Sequence, residues 1–169
     1  MKKILILLLA SLAGSLGLGA APQQASDPQV EKVLVIFKTH LDIGFTDLSS
    51  KVEQRYIDYY IPKAIEVARR LREEGGDERY VWTTGAWLVD AYLRQATPEA
   101  AAELEEAIRR GDIVWNGVPY TVESESMNRA LFEGILRLSQ RLDARFGKHT
   151  SAAKMTDVPG HTRSIVPLL

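Results

Sequence analysis

The chain has no cysteine. That removes disulfides, thiol nucleophiles and thiolate-held metals, so any metal must be held by imidazoles and carboxylates. Histidine is scarce as well: His40, His149 and His161 are the only three. Neither sign of charge dominates, with 21 Lys+Arg against 22 Asp+Glu. The basic surface that a nucleic-acid partner needs is therefore missing, and no nucleic-acid partner is expected. The 169 residues suffice for one ordinary domain.

The start of the chain reads as a targeting segment. Met1-Lys2-Lys3 precedes an apolar run from Ile4 to Leu18 that Gly14 and Gly17 interrupt, and Gly19-Ala20-Ala21 offers small residues for cleavage. The run is short for a membrane span. Residues 1–21 are thus expected to be a bacterial-type signal peptide, and 22–32 a polar linker. With no cysteine after the apolar run, lipid attachment is excluded. The expected location is periplasmic or extracellular, with no stable membrane anchor after cleavage.

The chain is organised around Val33-Leu34-Val35-Ile36-Phe37-Lys38-Thr39-His40-Leu41-Asp42-Ile43-Gly44-Phe45. Val33 to Thr39 is nearly continuous in apolar residues, as in a parallel strand covered on both faces. Residues two apart on a strand point the same way, so His40 and Asp42 project together if the strand persists. An imidazole beside a carboxylate is a ligand pair for a divalent metal such as Zn²⁺. Gly44 permits a sharp turn. An ordinary buried strand followed by a polar loop explains this stretch equally well on its own.

The remaining pattern alternates. Ser50-Lys51-Val52-Glu53 has capping-box spacing, and a helical period follows to about Glu74, with Pro62 expected to kink or split it and Gly75-Gly76 to end it. Strands are expected at Arg79 to Thr84, Ile113 to Trp115 and Ala152 to Thr156. Helices are expected at Trp87 to Gln95 and, after the Thr97-Pro98-Glu99 start signal, from Ala100 to Arg110 with Gly111 closing. Met127, Leu131, Ile135, Leu138, Leu142 and Phe146 mark the core face of another helix, stopped by Gly147. A further helix begins at Thr162. Trp82 and Trp87 could floor a pocket, although core packing is the commoner fate of such residues.

Four strand–helix alternations predict an α/β fold with parallel strands and covering helices. Such folds place their chemistry at the C-terminal strand ends. His40, Asp42, the Asn116–Glu125 loop and Asp157 all fall there.

His40-Leu41-Asp42-Ile43-Gly44-Phe45 resembles the His-x-Asp-x-Gly-aromatic motif after the first strand of family 38 glycoside hydrolases, the α-mannosidases. Thr156-Asp157-Val158-Pro159-Gly160-His161 resembles that family's Asp-Pro-Phe-Gly-His segment. Arg79-Tyr80-Val81-Trp82 and Gly111-Asp112-Ile113-Val114 match the units between, in order, so the likeness runs from about Val33 to Leu169. Phe45 stands where Trp is usual, and Lys38 where many members have a second His.

The resemblance implies that residues 33–169 form the N-terminal part of an incomplete (β/α) barrel, in a fragment of a longer enzyme. It implies one Zn²⁺ held by His40, Asp42 and Asp157, with Asp157 also the catalytic nucleophile. A further His ligand and the general acid would lie downstream, so the fragment alone is expected to be inactive. Phe45, Trp87 and Glu125 become candidate substrate contacts, and His161 a residue that orients the Asp157 loop. The implied reaction is retaining hydrolysis of terminal α-mannosyl or related bonds in an oligosaccharide or glycan. A metal-dependent polysaccharide deacetylase is the first alternative, and a non-catalytic carbohydrate-binding domain the second. The absence of a His-x-x-x-His pair weighs against the first, and Asp157 with the His40/Asp42 pair against the second.

Overall fold

The computed structural model of the chain describes residues 38–169. The expected signal peptide, the linker and the Val33–Phe37 part of the first expected strand lie outside the described residues. No helix among the described residues is long and apolar enough to cross a membrane.

The first helical stretch is α1 (Ser49–Arg55), a π-helical turn (Tyr56–Tyr60) and α2 (Ile61–Glu73). One expectation is corrected here. The capping box does not form: the cap residue is Leu48, with no side-chain bond, and Ser50 lies inside the helix. Pro62 stands in the first turn of α2, and the α-helix is split there by the π-turn rather than by a break in the helical course. Proline has no N–H to donate and its ring crowds the preceding turn, and the wider π-turn lies immediately before it, so the helical course continues. Gly75, at φ 74°, follows the end of α2 in the left-handed conformation that glycine adopts without cost.

Strand β1 (Trp82–Gly85) leads directly into α3 (Ala86–Gln95); α4 (Pro98–Arg110) then leads to β2 (Ile113–Asn116). β1 and β2 pair in parallel, Trp82 opposite Ile113 through Gly85 opposite Asn116. Lys38 forms a parallel bridge to Thr83 on the other side of β1. The start signal at α4 acts as expected: the Thr97 hydroxyl accepts from the Ala100 N–H at 3.3 Å, and Gly111 closes the helix at φ 84°.

The expected strand at Ala152–Thr156 is absent. Its backbone link to the sheet region is Gly117 N–H donating to Ala152 O at 2.9 Å. Ser151-Ala152-Ala153-Lys154 has few of the branched or aromatic side chains that fill a pleated surface. The final helix is a 3₁₀ segment, Arg163–Leu168. The observed class is therefore α/β with a two-stranded parallel sheet among the described residues.

Helix α5 (Arg129–Phe146) is capped by Asn128, whose side chain accepts from Leu131 N–H at 2.9 Å. Its buried stripe is Phe132, Ile135, Ser139 and Leu142. The expected stripe was off at its start: Met127 precedes the helix, and Leu131 is 51% exposed. Ile135, Leu138, Leu142 and Phe146 of that stripe do pack into the core, and polar Ser139 is the buried position that the apolar pattern did not show. Its hydroxyl donates to Gly117 O at 2.5 Å.

The main core joins α2, α3, α4 and both strands through residues such as Ile61, Leu88, Leu104, Ile108 and Ile113. Each such side chain contributes about 1.5–3 kcal/mol by leaving water. A second cluster of Val118, Val122, Phe132, Ile135 and Ile165 lies under the loop after β2 and fixes its course. Gly85 meets that loop directly: a Cβ there would sit 2.1 Å from Pro119 O. Beside the core, Asp112 is almost fully buried and accepts from Arg72 Nε at 2.7 Å and Arg110 Nε at 2.9 Å.

Candidate functional site

A cleft of about 440 Å³ opens beyond the C-terminal ends of the strands. Its walls follow from the parallel register. Leu41, Asp42, Ile43 and Phe45 come just after the Lys38 bridge; Trp87 comes just after β1; Tyr120 and Thr121 come after β2. Asp157 closes the lining from the segment that follows Ala152.

His40 is held from behind. Thr39 N–H donates to Thr83 O at 3.5 Å, and Trp82 Nε1 donates to the Thr39 hydroxyl. The Tyr56 hydroxyl, from the π-turn, donates to His40 O at 3.4 Å. Burial raises the Tyr56 pKa, with the neighbouring Tyr60 and Asp42 adding to it, so the phenol keeps the proton that this bond needs. Lys154 Nζ also reaches Thr39 O, at 3.5 Å. Burial, and then the charge of Lys38, lower the Lys154 pKa.

At the cleft, His40 Nε2 lies 2.8 Å from Asp42 Oδ1 and 3.2 Å from Asp157 Oδ2. Nδ1 faces the Thr156 hydroxyl at 3.5 Å. Gly44, at φ 82°, turns the chain back after Asp42. Asp157 adopts φ 62°, a left-handed conformation that is costly for a residue with a Cβ. The three side chains offer ligand atoms that all lie within 4.8 Å of one another.

One ring nitrogen has a single proton or a single lone pair. It can satisfy one carboxylate, yet two converge on it, and those two repel each other. A cation between them would neutralise both and take the imidazole lone pair. With Zn–N and Zn–O bonds of about 2.0–2.2 Å, a tetrahedral ion spaces its ligands by roughly 3.3 Å. The 2.8 Å separation is that of a hydrogen bond and the 3.2 Å one is near the ligand spacing; one imidazole and two carboxylates in reach of one another are a donor set of the kind zinc takes.

Phe45 and Trp87 both line the cleft, Phe45 with 87% of its surface exposed. Trp87 also packs against the main core. Glu125 is elsewhere: it is exposed on a 3₁₀ turn (Ser124–Ser126) and does not line the cleft. His161 bonds not to Asp157 but to Ser124, Nδ1 to Oγ at 3.1 Å. His149 lines a separate groove beside β2. Sequence reasoning reached the loop after β2 but passed over Tyr120 and Thr121, whose signal was an aromatic and a hydroxyl just past a strand end.

The description "Glycosyl hydrolases family 38 N-terminal domain" matches residues 31–169. No curated protein and no solved structure matches the chain. The match takes in the whole of the cleft and both polar segments that meet in it, and on that ground the chain belongs to glycosyl hydrolase family 38, as its N-terminal domain.

Proposed function

We propose that this chain carries the metal-binding part of the active site of an exported, zinc-dependent retaining glycoside hydrolase. Its substrate would be an oligosaccharide or glycan with terminal α-mannosyl or related bonds. The observation that supports this most is the meeting of His40, Asp42 and Asp157 at the cleft, in a chain of a glycoside hydrolase family.

In this reading His40 Nε2, Asp42 and Asp157 hold the ion. Bound zinc supplies Lewis-acid chemistry, holding sugar hydroxyls and favouring a distorted ring. Asp157 is the nucleophile. Of the three it is the most open, its side chain 73% exposed against 35% for His40 and 37% for Asp42. Its carboxylate attacks the anomeric carbon as the glycosidic C–O bond breaks, and the leaving oxygen takes a proton from a carboxylic acid. Water then cleaves the glycosyl ester, giving its proton back to that acid. The carboxylates lining the cleft are Asp42 and Asp157, so the proposal draws the acid and a fourth ligand from outside the described residues. It also includes residues 1–21 as an export signal and residues 33–169 as part of a (β/α) barrel.

The test uses the full-length protein and an aryl α-mannoside. Turnover with retained anomeric configuration is expected, with loss on chelation and with Asp157→Asn, which should stay folded. Undiminished turnover in Asp157→Asn removes Asp157 as the nucleophile. Acetate release from an acetylated glycan, without sugar release, overturns the reaction class in favour of deacetylation.

A further inference from the structure

Asp157 holds an uncommon backbone conformation, φ 62°, with little of its own side chain buried. Asp enters this region more readily than most residues with a Cβ, yet a single fixed left-handed conformation is still held by its neighbours. The restraint must therefore come from either side of it in the chain. On the N-terminal side, Met155 packs against the second core cluster and Lys154 reaches Thr39 O. On the C-terminal side the anchor is one buried hydroxyl. Ser124 is 1% exposed. Its Oγ accepts from Thr162 N–H at 3.0 Å and sits 3.1 Å from His161 Nδ1.

The chemistry of that hydroxyl sets its direction. A buried O–H needs an acceptor, and His161 Nδ1 is the acceptor recorded for it among the described residues. Ser124 thus donates to His161 and accepts from Thr162, clamping two consecutive residues with one atom. The other ring nitrogen, His161 Nε2, is buried without a hydrogen-bond partner among the described residues. Ser124 is buried two residues after buried Val122, while its neighbours Glu123 and Glu125 are exposed.

We propose that Ser124 is a positioning residue for Asp157. Through His161 and the Thr162 amide it latches the 157–162 loop to the loop after β2, and so keeps Asp157 turned toward His40. The proposal rests on the zinc reading only for its effect on metal affinity. The latch itself belongs to the metal-free chain.

The test compares the full chain with Ser124→Ala in two measurements. In amide hydrogen exchange without metal, Thr162 and its loop neighbours should exchange about tenfold faster or more, with α3 and α4 unchanged. In zinc titration, affinity should fall roughly tenfold or more, whereas in an Asp157→Asn background the same substitution should cost nothing further. Ser124→Thr, which keeps the hydroxyl, should restore both. Unchanged exchange in the loop, or an equal zinc loss in the Asp157→Asn background, overturns the latch. Should Ser124→Ala fail to fold, His161→Phe removes the acceptor alone: faster loop exchange supports the latch and unchanged exchange overturns it. A wild-type chain that binds no zinc sinks the metal reading, and the exchange result still decides the latch.

Discussion

Asp112 and Asp157 are the same side chain in opposite settings. Asp112 is 1% exposed and is met by two guanidinium groups of its own chain, Arg72 and Arg110. Asp157 is 73% exposed, and the ion-pair partner recorded for it among the described residues is His40, which Asp42 shares. One carboxylate is satisfied by the fold; the other is left facing a second carboxylate across a cleft. The difference separates a charge neutralised inside the fold from one left open to solvent. Fold-building charges are neutralised at home, because an uncompensated buried charge is costly. A carboxylate in reach of solvent, such as Asp157, is left unneutralised at a smaller cost.

The comparison breaks most sharply at Asp112. Asp112→Ala takes from Arg72 its carboxylate and from Arg110 one of two, Glu106 remaining, and should cost about 3 kcal/mol in chemical denaturation. Burial alone would raise the Asp112 pKa, but the bonds from Arg72 and Arg110 overcome it and hold the carboxyl below its usual value. A lowered folded pKa gives stability that is present above the unfolded value of about 4 and lost as pH falls through the folded one. Asp112→Asn should accordingly flatten the acid limb of a stability–pH curve. An unchanged limb would show that the arginines do not hold the charge.

Next in size is Asp157→Asn. Zinc affinity by titration should drop by more than roughly 100-fold, while the denaturation midpoint stays within about 0.5 kcal/mol of the starting protein. A large loss of stability instead would make Asp157 a second Asp112. Gly85→Ala forces a Cβ against Pro119 O and should cost about 1–3 kcal/mol, displacing the loop that bears Tyr120. A neutral result there would mean that the loop yields freely. The smallest effect belongs to Thr97→Ala, which removes a cap remote from the cleft: about 1 kcal/mol in thermal unfolding, with zinc affinity untouched.

Legibility in the sequence followed distance along the chain. The Thr97 cap, the Gly111 and Gly147 stops and the extents of α3, α4 and β2 were readable, since each depends on a few adjacent residues. The Ser50 cap failed, although its spacing was right, because Leu48 took the cap position. The α5 stripe was legible at Ile135, Leu138, Leu142 and Phe146 but not at Phe132 and Ser139, because a buried serine does not look apolar. In the loop after β2, charge drew notice to Glu125 while burial selected Ser124.

By itself the sequence put His40 and Asp42 two positions apart just past an expected strand end, with Gly44 after them as a residue able to turn. That much depends on only a few adjacent residues; the strand itself stops at the Lys38 bridge. Only the tertiary structure decided that Asp157 meets them, and that Ser124 holds its loop. Both depend on which strand lies beside which, and on how a second apolar cluster seats two loops. No local pattern encodes either, because the contacts join residues far apart in the chain and are made by packing.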